Sequence, residues 1–246
     1  NQSQLYDSAE IELIKIQKLS KNKTIFPEYG RQELLKEMTV FTEWFVKKLL
    51  NIELSPADLR LFDDAFSVIA ESALEQPQVV VHRDFHSRNL MQLPDGSIGV
   101  IDFQDAVIGP ITYDIVSLFR DCYIRLPKEY AVQRALGCYQ QAIDAGIAPK
   151  TSDNQVIRWF DLMGLQRHIK VLGIFSRLHL RDGKPRYLDD LPLVIRYTLE
   201  QLKPYPELKN FTLWFERHVL SEASRQPWFQ SLETTGDIPV TNNSGD

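Results

Sequence analysis

The sequence predicts an α+β fold, mostly helical, in which a small β-hairpin carries the chemistry. Three observations predict it. Apolar residues recur at helical spacing through most of the 246 residues. One run, Val79-Val80-Val81, breaks that period and reads as a strand. Further on, Leu90-Met91-Gln92-Leu93 and a second apolar run ending at Asp102 flank the turn-forming Pro94-Asp95-Gly96-Ser97, which is a hairpin signature. A chain of this length buries one good core or two small lobes.

The elements follow in order. Leu5, Ala9, Leu13, Ile16 and Leu19 share one face of a first helix. Leu34, Met38, Phe41, Phe45 and Leu49 make a second, with Trp44 widening its apolar face. Ser55-Pro56-Ala57-Asp58 is a helix start, with Ser as N-cap, Pro at the first turn and an acid at the third position. Leu59, Phe62, Phe66, Ile69 and Ala73 carry that helix to Gln76-Pro77. After the hairpin, residues 112–126 read as a helix with Asp114 in its first turn, where an acid suits the helix dipole. Residues 128–145 form another, ended by Gly146 and Pro149. A long helix is expected over 154–179 and a further one over 189–202. Pro204 and Pro206 then precede a short helix with Phe211, Trp214 and Phe215. The domain is drawn as 1–220, with a polar C-terminal tail over 221–246 that loosens from Thr234.

The stretch from His82 to Asp114 holds the candidate site. Asn89 comes five residues after Asp84, and Asp102 thirteen after Asn89. A hairpin between them brings Asn89 and Asp102 to the same end, beside Asp84. Three oxygen-bearing side chains then face a space suited to Mg²⁺ and a phosphate.

His82-Arg83-Asp84-Phe85-His86-Ser87-Arg88-Asn89 resembles the catalytic loop of the protein-kinase-like fold, H-R-D-x-x-x-x-N. The resemblance implies that Asp84 accepts or aims the proton of the acceptor hydroxyl. It implies that Asn89 and Asp102 hold Mg²⁺ on the phosphates of ATP. His82, Arg83 and Asp114 support the loop, Asp114 from below. Gln104, where a protein kinase has Gly, and only eleven residues between Asp102 and Asp114 leave no room for an activation segment. Ile101-Asp102-Phe103-Gln104-Asp105-Ala106, Gly109-Pro110 and Tyr113-Asp114-Ile115 instead resemble the aminoglycoside phosphotransferase and choline kinase branch, which phosphorylates small molecules.

Finer similarity runs from about Tyr29 to Tyr197. Phe103 to Ala106, Arg120-Asp121, Gly164-Leu165-Gln166-Arg167-His168 and Arg181-Asp182-Gly183-Lys184 resemble the bacterial anomeric kinases of N-acetylmuramate and N-acetylglucosamine, which act in cell-wall recycling. That resemblance puts Asp105 beside the acceptor sugar. Arg167, Lys170, Arg177 and Arg181 share one helix face, and Gln166-Arg167-His168 carries the resemblance, so a substrate role for Arg167, His168, Lys170 and Arg177 is expected. Arg167 is the first choice for the lactyl carboxylate, since a planar fork grips a carboxylate twice. The resemblance also implies that the N-terminal, ATP-covering lobe is not in this chain. None of the 11 Gly forms a GxG, and Lys15 lies in a helix, so no nucleotide-binding lysine is assigned.

Other readings stay open. Another small hydroxylated acceptor, of aminoglycoside, choline or homoserine type, suits the same loop. A non-catalytic binding descendant of the fold would normally have lost a catalytic residue. His82, Asp84 and His86 also read as HxDxH, a transition-metal hydrolase pattern if they lay on a strand. The net charge of −5 argues against nucleic acid as a partner. No apolar run is long enough for a bilayer, and no signal peptide opens the chain. Two cysteines without a CxxC fit a reducing cytoplasm. The sequence leaves the oligomeric state open.

Overall fold

The computed structural model describes residues 2–237. Helix α1 (Gln2–Gln17) turns Ala9 and Leu13 inward, as their spacing requires. Helix α2 (Arg31–Val40) runs without a break into a wider π-type helix over Phe41–Leu49. Gly173 lies against that junction: a Cβ there would sit 2.4 Å from Phe41 N and from the Val40 carbonyl carbon. The two helices thus approach backbone to backbone. Helix α3 (Pro56–Leu74) begins as its sequence signals, with Ser55 Oγ accepting from Asp58 N and Asp58 Oδ2 accepting from Ser55 N.

Four short strands follow α3. Strands β2 (Leu90–Gln92) and β3 (Ile98–Val100) form the expected antiparallel hairpin, Leu90 opposite Val100 and Gln92 opposite Ile98. Strand β1 (Gln78–Val81) pairs separately with β4 (Val107–Pro110), Val81 opposite Val107. That second ladder was not foreseen. It folds the chain back so that His82 and Ala106 lie at one end. Pro27–Tyr29 runs along β4, with Tyr29 N donating to Ile108 O at 2.8 Å and Ile108 N to Pro27 O at 2.9 Å.

Helix α4 (Thr112–Phe119) stops earlier than its apolar pattern suggests. Arg120 leaves the helical conformation and buries its guanidinium on Asp161 at 2.5 Å, while Asp121 turns toward the catalytic loop. These side-chain partners lie far off in sequence, so the local pattern over 112–126 carries no sign of them. Helix α5 (Lys128–Asp144) ends at Gly146 in the left-handed region. Helix α6 (Asp153–Leu180), capped by Ser152, is buried along most of its length. Helices α2 to α5 and α7 (Leu191–Leu202) pack round it. An aromatic cluster of Phe41, Phe45, Phe62, Phe66, Phe211, Trp214 and Phe215 closes one end. It draws in α8 (Lys209–Trp214), which continues as a π-type turn over Phe215–Leu220 and the short α9 (Ser221–Ala223).

Of the polar tail expected over 221–246, residues 238–246 lie outside the described residues. The described part is held to the body: Ala223 is buried, and the Asp237 carboxylate pairs with Arg125 Nε at 3.0 Å and Arg196 Nη1 at 2.9 Å.

Candidate active site

Strand β1 delivers His82, and at Arg83 the backbone turns into the left-handed region (φ 75°). A non-glycine residue held there stores roughly 1–3 kcal/mol, so something must enforce it. Asp114, fully buried in the first turn of α4, accepts from His82 N at 2.7 Å and Arg83 N at 2.9 Å. Arg167 Nη1 on α6 donates to Arg83 O at 3.2 Å. The Arg83 guanidinium reaches Glu37 on α2 at 2.5 Å and the Asp105 carbonyl at 3.4 Å. Three helices therefore hold the residue that immediately precedes Asp84. Burial pushes the Asp114 carboxyl up to about 7, against the two backbone N–H groups and Arg167, which favour its ionised form.

The second half of the loop is held by Asp121. Its Oδ2 accepts from Ser87 N at 3.0 Å and Ser87 Oγ at 2.6 Å, and its Oδ1 from Tyr123 N at 3.0 Å. Asn89 closes the turn by donating Nδ2 to Asp84 O at 3.0 Å. Its amide oxygen remains an acceptor.

The hairpin brings Asn89 and Asp102 to the same end, as the sequence predicts. Ile101 N donates to Asn89 O at 3.2 Å, one residue before Asp102. Asp102 is exposed, in the left-handed region (φ 71°), and its Oδ1 accepts from Gln104 Nε2 at 2.7 Å. An amide oxygen and a carboxylate, both reachable from solvent, make a hard-oxygen donor set. That set fits Mg²⁺, which keeps several waters and takes few protein ligands.

The alternation of the strands decides which face of the hairpin is covered. Leu90, Gln92, Ile98 and Val100 share the face toward the body, and Leu90, Ile98 and Val100 are at least partly buried there. Asn89, Met91, Leu93, Gly99 and Ile101 share the other. Met91 is 54% exposed, Leu93 42% and Ile101 46%, so an apolar shelf lies open beside the Asn89 and Asp102 pair.

His82, Asp84 and His86 do not gather as a metal centre. The left-handed turn at Arg83 means that alternate residues share no face. His82 is 2% exposed and edge-on to Phe85, with neither ring nitrogen hydrogen-bonded among the described residues. No group of three or more His, Cys, Asp or Glu that could bind a metal occurs among the described residues.

The bases of the expected stripe on α6 meet different surroundings. Arg167, only 5% exposed, faces the catalytic loop from beneath and holds Arg83 O. Lys170 donates to Glu37 at 2.8 Å and to the Tyr113 hydroxyl at 3.2 Å. His168 has no exposed surface. Its Nδ1 meets Gln201 Oε1 at 2.8 Å, its Nε2 meets Arg120 O at 3.0 Å, and its ring stacks on Tyr197. Burial brings it down to about 4, so it is a neutral packing residue. Arg181 pairs with its neighbour Asp182. Arg177 is half-buried, with Nε unpartnered among the described residues. Asp105 is exposed near the Arg83 side chain.

Sequence reasoning missed Glu37 and Asp121. Glu37 accepts from Arg83, Lys170, Gln166 Nε2 at 3.2 Å and the Tyr29 hydroxyl. A signal existed for it, because Glu37 occupies the i+3 slot of the stripe Leu34, Met38, Phe41. For Asp121 the signal was the resembling pair Arg120-Asp121, which did not name Ser87 as its partner.

A model of the phosphotransferase enzyme family matches residues 2–143. The N-acetylmuramate/N-acetylglucosamine kinase of Neisseria meningitidis is 42% identical over 197 residues, which cover 80% of this chain and 58% of that protein. The kinase of the same name from Pseudomonas aeruginosa is 42% identical over 209 residues, 85% of this chain and 61% of that one. The chain thus spans about three fifths of the length of these relatives. Among solved structures, the ethanolamine kinase of Plasmodium vivax superposes with a TM-score of 0.58 at 15% identity, covering 85% of this chain and 61% of that one, which is a likeness of fold.

Proposed function

The chain belongs to the phosphotransferase enzyme family, and from that premise we propose that it supplies the catalytic side of an ATP-dependent amino-sugar kinase. The acceptor is the anomeric hydroxyl of N-acetylmuramate or N-acetylglucosamine, and the reaction serves cell-wall recycling. The observation that carries this reading is the pinned loop. Asp84 stands beside the hairpin end that bears Asn89 and Asp102, in a chain 42% identical to two kinases of these sugars.

In this reading Asp84 takes the proton of the acceptor hydroxyl as its oxygen attacks the γ-phosphorus. The new O–P bond forms, the bond to the bridging oxygen breaks, and ADP leaves with that electron pair. Asn89 and Asp102 would hold Mg²⁺, which when bound neutralises phosphate charge. Arg83, Asp114, Arg167 and Asp121 keep the Asp84 backbone in place. The open shelf of Met91, Leu93 and Ile101 is the surface proposed for the nucleotide base. No GxG occurs in the sequence, and no lysine lies on a strand among the described residues.

We place the reaction in the cytoplasm, where ATP is available. Cys122 and Cys138 are free and buried, which suits a reducing compartment. No helix among the described residues is long and apolar enough to cross a membrane.

The test uses the whole protein with ATP, Mg²⁺ and each sugar. Phosphate on the anomeric oxygen blocks ring opening, so reducing-sugar reactivity should fall in step with ADP formation. Asp84→Asn should lower turnover by about 10²–10⁴-fold. ADP formation with choline or an aminoglycoside but with neither sugar would overturn the acceptor. Retention of most turnover in Asp84→Asn would overturn the role of Asp84.

A further inference from the structure

N-acetylmuramate carries a lactyl carboxylate that N-acetylglucosamine lacks, and the bases expected to meet it, Arg167 and Lys170, are engaged with the protein itself. We infer that Arg88 is the residue that selects a carboxylate-bearing acceptor, an inference that rests on the amino-sugar kinase reading above.

Arg88 lies in the single turn Ser87–Asn89, four residues after Asp84 and one before Asn89. Both ends of that turn are fixed. Ser87 is held by Asp121 through two bonds, and Asn89 by Asp84 O at 3.0 Å and through its own N–H by His86 O at 2.9 Å. The position of Arg88 relative to Asp84 is therefore set by the same contacts that set the catalytic loop.

Its side chain is set as well. The guanidinium lies 3.3 Å from the centre of the Tyr123 ring. Tyr123 is itself fixed, its N–H on Asp121 Oδ1, its ring edge-on to His86 and stacked on Phe175. Stacking occupies the flat face of a guanidinium and leaves its in-plane N–H edge free. That edge is the one that grips a carboxylate with two parallel bonds. Arg88 is exposed and forms no ion pair with any described residue, unlike Arg83, Lys170 and Arg181. The acid that feels its charge, half-buried Asp190, lies beyond ion-pair distance.

The cleft is shared with the chemistry. His86 lies within electrostatic reach of both Asp84 and Arg88, and Arg167 and Asp121 also face it. The rings of Tyr123, Phe175 and Tyr187 follow one another from His86 outward, with centroids 6.1 and 5.0 Å apart. Phe175 is buried, so the partly exposed rings of Tyr123 and Tyr187 are the aromatic surface open to a sugar there. A carboxylate branching from that sugar would meet the Arg88 fork, four residues from Asp84; Arg186, over the Tyr187 ring at 5.4 Å, is a second base near this wall without an ion pair among the described residues.

The experiment compares kcat/KM for the two sugars in the whole protein and in Arg88→Ala, Arg88→Lys and, as a control exposed on α3, Arg60→Ala. Arg88→Ala should lower the ratio for N-acetylmuramate over N-acetylglucosamine by roughly 10- to 100-fold, mostly through KM. Arg88→Lys should keep part of the preference, since it retains the charge without the fork. Arg60→Ala should leave the ratio within about twofold, a margin of about 0.4 kcal/mol. An unchanged ratio in Arg88→Ala, an equal loss on both sugars, or loss of the ratio in Arg60→Ala would each overturn the inference while leaving the kinase reading intact. Turnover of neither sugar by the unmodified protein would overturn the kinase reading, and this inference with it.

Discussion

Replacing Glu37 with Gln keeps the side chain's shape and removes its charge, so it isolates what one buried carboxylate does beneath the catalytic loop. Glu37 accepts from Arg83 Nη2 at 2.5 Å, Lys170 Nζ at 2.8 Å, Gln166 Nε2 at 3.2 Å and the Tyr29 hydroxyl. Two of those donors are cations with side chains only 23% and 13% exposed, and Glu37 itself is 16% exposed. Removing one member of such a buried charge group typically costs 3–5 kcal/mol, because the partners stay buried without compensation. With ordinary stabilities of about 5–15 kcal/mol, that is a large share of the total. At about 2–4 °C per kcal/mol for a domain of this size, the midpoint should fall by roughly 6–20 °C. Turnover should also fall at a temperature where the variant is folded, because Arg83 loses the contact that anchors its side chain.

The assay is thermal and urea unfolding of both proteins, with turnover measured at low temperature. Adding Lys170→Met to Glu37→Gln removes one of the stranded cations and should recover stability more than activity. The sign with pH is fixed too. Burial acts to raise the Glu37 carboxyl, but Lys170, Tyr29 and Arg83 together hold it below its ordinary range. A carboxylate lowered in the folded state stabilises above its unfolded value of about 4.3 and loses that contribution as the pH falls through its folded value. Unmodified protein should therefore lose more stability than Glu37→Gln on acidification below about pH 4. A Glu37→Gln protein within about 1 kcal/mol of the unmodified one, with a parallel pH curve, would refute the reasoning.

Two further outcomes are expected. Asp102→Ala should raise the half-saturating Mg²⁺ concentration at least about tenfold and depress turnover; a Mg²⁺ titration that superposes on the unmodified one would remove Asp102 from the metal site. Gly173→Ala should destabilise by about 1–3 kcal/mol or more, since its Cβ would meet backbone atoms of Val40 and Phe41 at 2.4 Å, and an unchanged unfolding midpoint would mean the helices part freely.

What was legible in the sequence depended on distance along the chain. Helices with a stripe at regular spacing, such as Leu34 to Leu49 or Leu59 to Ala73, follow from local pattern alone. The Ser55 cap and the 90–100 hairpin are equally local, and so are Asp84, Asn89 and Asp102, which share one turn and one hairpin. The pairing of β1 with β4 was hidden because Val107–Pro110 is only four residues long and meets a strand some 28 positions away. The basic stripe misled for a related reason. Spacing places Arg167 and Lys170 on one face, but it does not say what that face meets. Lys170 finds Glu37 across 133 residues and Arg167 finds Arg83 O across 84.

The backbone at the site explains why so many distant contacts converge there. Three described non-glycine residues have positive φ: Asn51, Arg83 and Asp102. Asn51 follows a helix end, where Asn tolerates that conformation at little cost. Asp102 is of the same tolerant kind, whereas Arg83 is not and stores roughly 1–3 kcal/mol. At Arg83 the strain is offset by buried Asp114 on its N–H, buried Arg167 on its carbonyl and part-buried Glu37 on its side chain, from three different helices. The turn that aims Asp84 is thus imposed by the helical body and is present before any nucleotide arrives. At Asp102 the described restraint is weaker, a single exposed bond from Gln104. On the proposed roles, the turn before Asp84 is restrained from three helices, whereas the described restraint on Asp102 is that one exposed bond.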